Sequence, residues 1–595
     1  MWNTFLILSV ISLCLALVTA IALYCAVKEK RGQAFFWTLA VGVAVSVTLV
    51  FIPYYYNYME GLTNRTLKTL LMSFHNTIRL FVVDGDYGFI IENAANIPEE
   101  VKGAYTAYTA GAFIAPPLFT FGFILSIFQN LIPCLQLCAC AFKDVYVFSS
   151  LNKKSMALAK SLKEQGKAIV FCGVKKDDES LRELLEEADK LRAICLKKDA
   201  SSLKFRLHSF NKELWFFEIG DDEVEKLDDS ARIIERFGKN ENVRLYIFSI
   251  TAESELLLSA VTDKKIKVRR IDENLCVINN EISQNGVKNL FENAKEIQGQ
   301  EEKKISAVIV GMGGYGTEML KTLLWYCQMD GYRIQIDVFD SDEKAKDKFT
   351  AQCPEIMSEK YNGVYVEGEA QYFVDIHSGL QVEELAFANE IQKLTDTTYV
   401  LVSLGEDELN VKTAKYLRML FERMKIKPII QTVVYSGKMA KNLAAAKNFK
   451  GDSYGIEFIG DFESVYTKKT VVNSDLEERA IAIHRKYGTP VEEFWQQEYN
   501  YRSSMASALH NQARIACGIR GAGKKEADLT EEERLIIELL EHRRWNAYMR
   551  TQGYVFSGSK EKSSRNDLGK MHHDLVDFDS LSEEDKRKDS RVGSD

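Results

Sequence analysis

The first 142 residues are nearly devoid of charge, with 7 basic and 7 acidic side chains against 69 and 77 in the remaining 453. Phe5 to Val27 lacks a charged residue for 23 positions and Gln33 to Met59 for 27. Each run exceeds the ~20 residues a helix needs to cross hydrocarbon. No basic stretch precedes Phe5, and the first run is longer than the core of a signal peptide, which argues against cleavage. Along all 595 residues lysine and arginine are nowhere concentrated, and the net charge is −8. A nucleic-acid binder, which needs a basic footprint, is therefore excluded. Of the 11 cysteines all but Cys134, Cys138 and Cys140 are scattered, as in a reducing compartment. Cys134, Cys138 and Cys140 cluster without a histidine or a further cysteine pair and read as small apolar residues rather than metal ligands. The length is too great for one core and implies three or four folded units.

A third uncharged run, Gly103 to Phe142, spans 40 residues and contains Pro116-Pro117. The prolines are expected to divide it, leaving 118–142 as a span and the preceding part interfacial, re-entrant or a broken extension. Three spans, at about 5–27, 33–59 and 118–142, make 1–142 a transmembrane region in a lipid bilayer. The basic turn Lys28-Glu29-Lys30-Arg31 belongs on the cytoplasmic side, which puts the amino terminus outside and the carboxyl-terminal part inside a bacterial plasma membrane. Between the second and third runs, Leu67, Leu70, Leu71, Phe74, Ile78 and Phe81 form a helical pattern ending at Asp84-Gly85-Asp86. It reads either as an amphipathic helix on the membrane surface or as a pore helix.

After Phe142 short β-branched and aromatic runs alternate with helical periodicity, the pattern of α/β domains with parallel sheets. One set of strands lies at 144–148, 168–171, 193–196, 214–218, 244–250 and 267–271. A polar linker, 279–304, separates it from a second set at 305–310, 334–339, 364–367, 399–403, 428–434 and 456–459. This predicts two doubly wound domains, 143–278 and 305–465. In the second, the strand ending at Val310 runs into Gly311-Met312-Gly313-Gly314-Tyr315-Gly316 and then a helix. Glycines at 311, 313 and 316 allow a tight turn, backbone approach to a pyrophosphate and close helix packing, and Asp340 closes the next strand where a carboxylate accepts ribose hydroxyls. Asp340 would repel a 2′-phosphate, so NAD or another adenine nucleotide is the expected ligand, with Gly314 also in the loop. The first domain has Ser149-Ser150-Leu151-Asn152 at the equivalent place, without glycine, and is expected to be structural or dimerising, with Asn152 and Ser155 either capping the helix or contacting a ligand.

Spans followed by paired domains with the loop at Gly311 to Gly316 and the carboxylate at Asp340 resemble the RCK and TrkA amino-terminal (Rossmann-type) domains. That resemblance covers 144 to about 465 and implies nucleotide-regulated channels or transporters that assemble as homo-oligomers. No catalytic constellation surrounds His377 or His484, so no enzyme is expected.

Residues 466–528 read as a helical connector with Phe494, Trp495, Tyr499 and Tyr501 as packing anchors. Gly521-Ala522-Gly523-Lys524-Lys525 lacks the spacing of a phosphate loop and reads as a linker. Thr530 and Glu533 predict a capping box. His542-Arg543-Arg544-Trp545, Gln552-Gly553-Tyr554, Lys570-Met571-His572 to Val576, and Leu581-Ser582-Glu583-Glu584 follow in the order of the ryanodine-receptor repeat, which 529–595 resembles. The resemblance implies a module cut short at its tail. His542, Arg543, Arg544, Trp545, Lys570 and His572 could form an aromatic, basic pocket for an anionic or nucleotide ligand; the alternative is that Trp545, Tyr554 and Phe578 make a small core. The whole reads as a membrane sensor or effector answering a signalling nucleotide, as in bacterial antiphage defence. A housekeeping channel regulator responding to NAD or ATP, and a membrane-anchored nucleotide-processing enzyme, stay open.

Overall fold

The computed structural model describes the chain except residues 27–30, 165, 176–177, 204, 206–211, 260, 262–263, 473–474 and 594–595. The side chains of 25–34, 125–134, 259, 492 and 496 are likewise left aside, so the basic turn at Lys28 and the Cys134 side chain lie outside what is described. The chain divides into two compact units, Met1–Gln136 and Leu137–Asp595.

In the first unit, helices α1 (Trp2–Ala26), α2 (Arg31–Tyr58) and α5 (Glu99–Ala139) are long and apolar enough to cross a membrane. Where the sheer apolarity of these helices gives no drive to associate in lipid, small residues and hydrogen bonds hold them together. A Cβ on Gly42 would stand 2.0 Å from the Ala16 Cβ, and Ser9 Oγ donates to Ser46 O at 2.6 Å. Trp2 sits edge-on to Tyr54 and Tyr105, each 4.9 Å away.

The prolines do not break α5, which runs unbroken through Pro116-Pro117 for 41 residues. Two adjacent prolines remove only two bonds of the helical ladder, those to the Ala112 and Phe113 carbonyls, and Thr120 Oγ1 ties the following turn to Pro116 O and to Phe81 O. At about 60 Å the helix is roughly twice the hydrocarbon thickness and so longer than one crossing needs; its first turn carries Glu99, Glu100 and Lys102. Two shorter helices, α3 (Arg65–Phe81) and α4 (Tyr87–Asn93), lie between α2 and α5. α3 is amphipathic as expected, but it buries its polar side: Thr69, Ser73, Asn76 and Thr77 face inward while Leu67, Leu70, Leu71, Phe74 and Ile78 are exposed. This polarity suits a helix whose outer solvent is lipid.

Among the described residues the second unit contains two large, mainly parallel sheets. Strands β1 (Asp144–Phe148), β2 (Lys167–Phe171), β3 (Ile194–Cys195), β4 (Leu214–Glu218), β5 (Val243–Ile247) and β6 (Lys267–Arg270) pair in the order 3-2-1-4-5-6. After a short antiparallel strand, β7 (Lys295–Glu296), the second sheet repeats that order with β8 (Lys303–Val310), β9 (Tyr332–Asp340), β10 (Tyr372–Ser378), β11 (Tyr399–Val402), β12 (Ile429–Val433) and β13 (Ile456–Ile459). This is the doubly wound arrangement, whose binding crevice lies at the carboxyl ends of the strands where the order reverses, between the first and fourth. In the first repeat α6 (Lys153–Leu162) begins with a capping box of Asn152 and Ser155.

Two expectations are corrected. The segment 364–367 is not a strand; the third strand of the second sheet is β10. Gly363 and Gly368 both have positive φ, which turns the backbone out of an extended run, and Arg550 and Phe578 of the carboxyl-terminal module dock on this stretch. Residues 279–304 are not a free linker either. Helix Glu273–Gly286 buries Val277, Ile278 and Ile282, and a π turn at Val287–Phe291 buries Leu290 and Phe291. These side chains join one hydrophobic core with both repeats and the connector.

The connector helices Asp475–Lys486, Val491–Gln496 and Glu498–Ala516 are anchored by the buried Phe494. The Arg269 guanidinium, paired with Glu477, lies 4.0 Å from the Trp495 ring and 4.1 Å from Tyr501. In the last module helix Glu531–Thr551 starts at the Thr530–Glu533 capping box. β14 (Val555–Phe556) pairs with β15 (Met571–His572), and helix Glu583–Gly593 follows.

Candidate functional site

The glycine loop forms at the switch point of the second sheet, where the carboxyl end of β8 meets β11. Gly311 has φ +101°, and a Cβ there would stand 2.4 Å from Ser403 O. On Gly316 it would stand 1.8 Å from Gly311 O, and on Gly314 2.8 Å from Asn274 Nδ2. On Gly313 it would meet nothing within 4 Å. The three motif glycines thus divide the work as their spacing predicts: turn at 311, open backbone at 313, close helix packing at 316.

Helix Gly314–Tyr326 starts at Gly313 without a side-chain cap. The N–H groups of its first turn therefore point into the crevice with the positive end of the helix dipole behind them, a ready anion site. Asp340 Oδ2 accepts from Met312 N at 2.5 Å and Oδ1 from Asp342 N at 2.8 Å. A carboxylate has about four lone-pair positions, so each oxygen retains one for a ribose hydroxyl. The cavity holds about 280 Å³, at the small end of the ~300–1,000 Å³ range of ligand pockets. It suits a phosphate and one nucleoside.

Asn274, Ser403 and Tyr435 also line this cavity, and the motif reading does not include them. Ser403 was accessible in principle, as the last residue of the strand expected at 399–403. Asn274 was not, because it comes from the final helix of the other repeat.

The first repeat places Asp199, Glu218, Asp221 and Asp229 around its own crevice, of about 150 Å³. Asp222 and Glu225 line it too, against Lys226, so even with Glu218 protonated the crevice is net acidic and disfavours a phosphate. Burial, followed by the Asp229 charge, pushes the Glu218 carboxyl up to about 8. Because the unfolded value is near 4.3, the folded chain holds a proton that the unfolded chain releases across the window from there to about 8, and stability falls through it. Glu218→Gln is expected to match the parent at pH 4 and to exceed it at pH 8 by on the order of 3 kcal/mol; chemical denaturation at both pH values measures this.

The carboxyl-terminal module and the connector enclose a cavity of about 590 Å³. Of the six residues expected to form a pocket, His542, Trp545 and His572 line it. His542 Nε2 lies 2.8 Å from Val576 O; burial opposes a charge on this ring, but the Asp589 carboxylate outweighs it and raises the pKa. Trp545 stands edge-on to His572 at 4.9 Å. Burial, Arg565 and His573 push His572 down to about 3, so it is neutral, and its Nδ1 accepts from Asp574 N.

The other three are elsewhere. Arg544 is fully buried against Glu541. Arg543 is buried outside the cavity lining; burial lowers its pKa, opposed by the charges of Asp330 and Glu367. Lys570 sits on an exposed turn at φ +48° and donates to Gln552 O. The lysines and arginine that line the cavity are Lys562, Arg565 and Lys588, which the motif alone does not single out; Glu493, Asp574, Asp585 and Asp589 line it too, and Asp585 pairs with Lys588 at 2.6 Å. Arg550 is a docking residue: it pairs with Glu355 at 3.1 Å and Glu369 at 3.0 Å, and lies 3.6 Å from the Tyr361 ring. Phe578 N donates to Gly368 O on the same stretch of the second repeat.

No protein-family model and no curated protein matches the chain. Among solved structures it is similar to a dipicolinate synthase subunit from Bacillus halodurans, with 10% identity over 56% of this chain and 96% of that one and a TM-score of 0.20. At that score the likeness has no bearing on function. The chain combines three helices fit to cross a membrane with two doubly wound α/β domains, and this is compatible with a nucleotide-binding membrane protein.

Proposed function

We propose that this chain is a membrane-anchored sensor in which a nucleotide, held at Gly311 to Gly316 and Asp340, shifts the carboxyl-terminal unit between two states and so acts on the membrane helices. The observation that carries the reading is the uncapped helix start at Gly313, open to a crevice that also holds Asp340. Oriented N–H groups supply phosphate affinity, the carboxylate selects an unphosphorylated ribose, and differential affinity for the two states supplies the coupling. The cavity lined by His542, Trp545 and His572 is the second place for an anionic or nucleotide ligand, with Lys562, Arg565 and Lys588 providing charge. In this reading the amino terminus faces outward, the carboxyl-terminal unit is cytoplasmic, the chain acts as a homo-oligomer, and it binds a signal rather than turning it over. The RCK-like and ryanodine-receptor-like resemblances support a channel or membrane effector.

The test is a thermal-shift panel on the full chain in detergent with NAD, NADH, ADP-ribose, ATP, ADP and cyclic nucleotides, followed by ion flux from liposomes with the ligand that binds. Stabilisation by a nucleotide in the parent but not in Gly313→Asp supports the site. A panel in which no nucleotide shifts the parent eliminates it, and ligand binding without flux removes the channel while leaving the sensor. A cyclic or ADP-ribose-type ligand favours a defence effector, and NAD or ATP alone favours metabolic regulation.

A further inference from the structure

β9 and β10 pair in parallel with Asp337 opposite Asp375. Like charges directly opposed on adjacent strands destabilise a sheet, and here one of the two carboxylates is almost wholly buried. His377 follows two residues after Asp375 and so lies on the same face of the sheet. Its Nε2 is 3.3 Å from Asp337 Oδ1 and 3.8 Å from Asp375 Oδ2, and one ligand atom from each of the three residues lies within 4.8 Å of the others.

The remaining oxygens are already engaged. Gln335 Nε2 donates to Asp337 Oδ2 at 2.9 Å, and Lys346 Nζ stands 3.5 Å from Asp375 Oδ1. Each carboxylate is thus held by a neighbour through one oxygen while the other is turned toward the imidazole. This is the outer-shell support that metal ligands require. The ring is fixed as well, stacked on Phe339 at 4.5 Å and 10°.

We propose that Asp337, Asp375 and His377 form a binding site for a divalent transition-metal ion, zinc first, with water as the fourth ligand. A tetrahedral ion with bonds of about 2.0 Å separates its ligands by about 3.3 Å. The His377–Asp337 distance already has that value, and the Asp375 oxygen needs to close on His377 Nε2 from 3.8 Å; the two carboxylate oxygens, within 4.8 Å of each other, are drawn together by the ion. One nitrogen and two carboxylate oxygens suit zinc better than calcium or magnesium, which take oxygen throughout. The ion replaces the repulsion between two opposed carboxylates with a bond to each. Asp340 pairs with Ser378 one position beyond the His377–Phe339 pair, so an ion here would clamp β10 to β9 immediately below the candidate ribose carboxylate.

The test uses the full chain in detergent, stripped with a chelator and titrated with Zn²⁺ against a chromophoric competitor, and separately with Co²⁺ for the visible bands of a tetrahedral complex. Uptake of one zinc per chain is expected, with an increase in the unfolding midpoint. Asp375→Asn and His377→Gln should each weaken binding at least about tenfold and remove the cobalt bands. Both replacements are close in shape and lie at the sheet edge; an unfolding midpoint equal to the parent's in metal-free buffer shows that the fold persists, and Asp375→Asn alone carries the test if His377→Gln does not fold. No zinc uptake by the parent overturns the proposal. So does uptake that both variants retain and that His573→Gln abolishes, which would move the ion to His572, His573 and Asp574, another grouping close enough to hold one.

Discussion

Glu541→Ala is expected to destabilise the carboxyl-terminal unit by about 3–5 kcal/mol, because it leaves two buried guanidinium groups without their carboxylate. Arg514 and Arg544 are both 0% exposed. Arg544 donates twice to Glu541 Oε1, at 3.1 and 2.7 Å, and Arg514 lies 3.3 Å from Oε2. Ser507 Oγ adds a third donor, at 3.1 Å. Burial alone would raise the Glu541 carboxyl, yet Arg544 and Arg514 hold it below the ordinary range. A carboxylate depressed on folding contributes stability above its unfolded pKa, near 4.3, and loses it as pH falls through the folded value. The gap between parent and variant should therefore be full at pH 7 and narrow in acid. Denaturation of the full chain in detergent at pH 7 and pH 3 measures both, with the exposed Glu531→Ala on the same helix expected to stay within about 0.5 kcal/mol. A Glu541→Ala protein as stable as the parent at pH 7 would show that water reaches these arginines.

At the glycine loop the two largest effects separate by position. Gly316→Val drives a side chain into the backbone of Gly311, since even a Cβ would stand 1.8 Å from its carbonyl oxygen. Neither strand nor helix can yield cheaply, and a loss of about 3 kcal/mol or more is expected. Gly313→Asp has the opposite profile. Its φ of −62° is open to any residue, its Cβ direction is empty, and an aspartate at the first position before a helix caps it, worth about a few tenths of a kcal/mol over glycine. The variant should fold as well as the parent or better, while its carboxylate fills the crevice and repels phosphate. Melting curves with and without nucleotide distinguish the two. Equal nucleotide shifts in the parent and Gly313→Asp would place the phosphate elsewhere, and a stable Gly316→Val would mean that the loop is not built as described.

Eleven of the twelve strands expected in the two repeats form at or within a few residues of their places, because central parallel strands are buried on both faces and read as unbroken apolar runs. The twelfth shows where that signal ends. β10, Tyr372-Phe373-Val374-Asp375-Ile376-His377-Ser378, is an edge strand that alternates apolar with polar, and the short run Val364-Tyr365-Val366 just before it is more apolar. Misplacing it also hid the opposition of Asp375 and Asp337, which exists only through the register of β9 and β10. In the same way the basic residues of the last module look alike in one dimension. Burial against Glu541 removes Arg544 from the cavity, while Lys562, Arg565 and Lys588 enter it from loops and from the final helix.

The sequence by itself determined the apolar helices, the two doubly wound repeats, the glycine loop with Asp340, and the capping box at Thr530. Each of these follows from periodicity, from backbone freedom or from a contact between residues three or four apart, and all are local properties of the chain. Tertiary structure alone decided that Asn274 of one repeat borders the crevice of the other, that Glu355 and Glu369 receive Arg550, and that Asp337, Asp375 and His377 face one another. It also decided the charge of the first crevice, which the loop at Asp199 and the run from Glu218 to Asp229 supply. These arrangements depend on which elements pack together across more than a hundred residues or on the register of neighbouring strands, and the energy that selects them comes from the shared core rather than from the residues that meet.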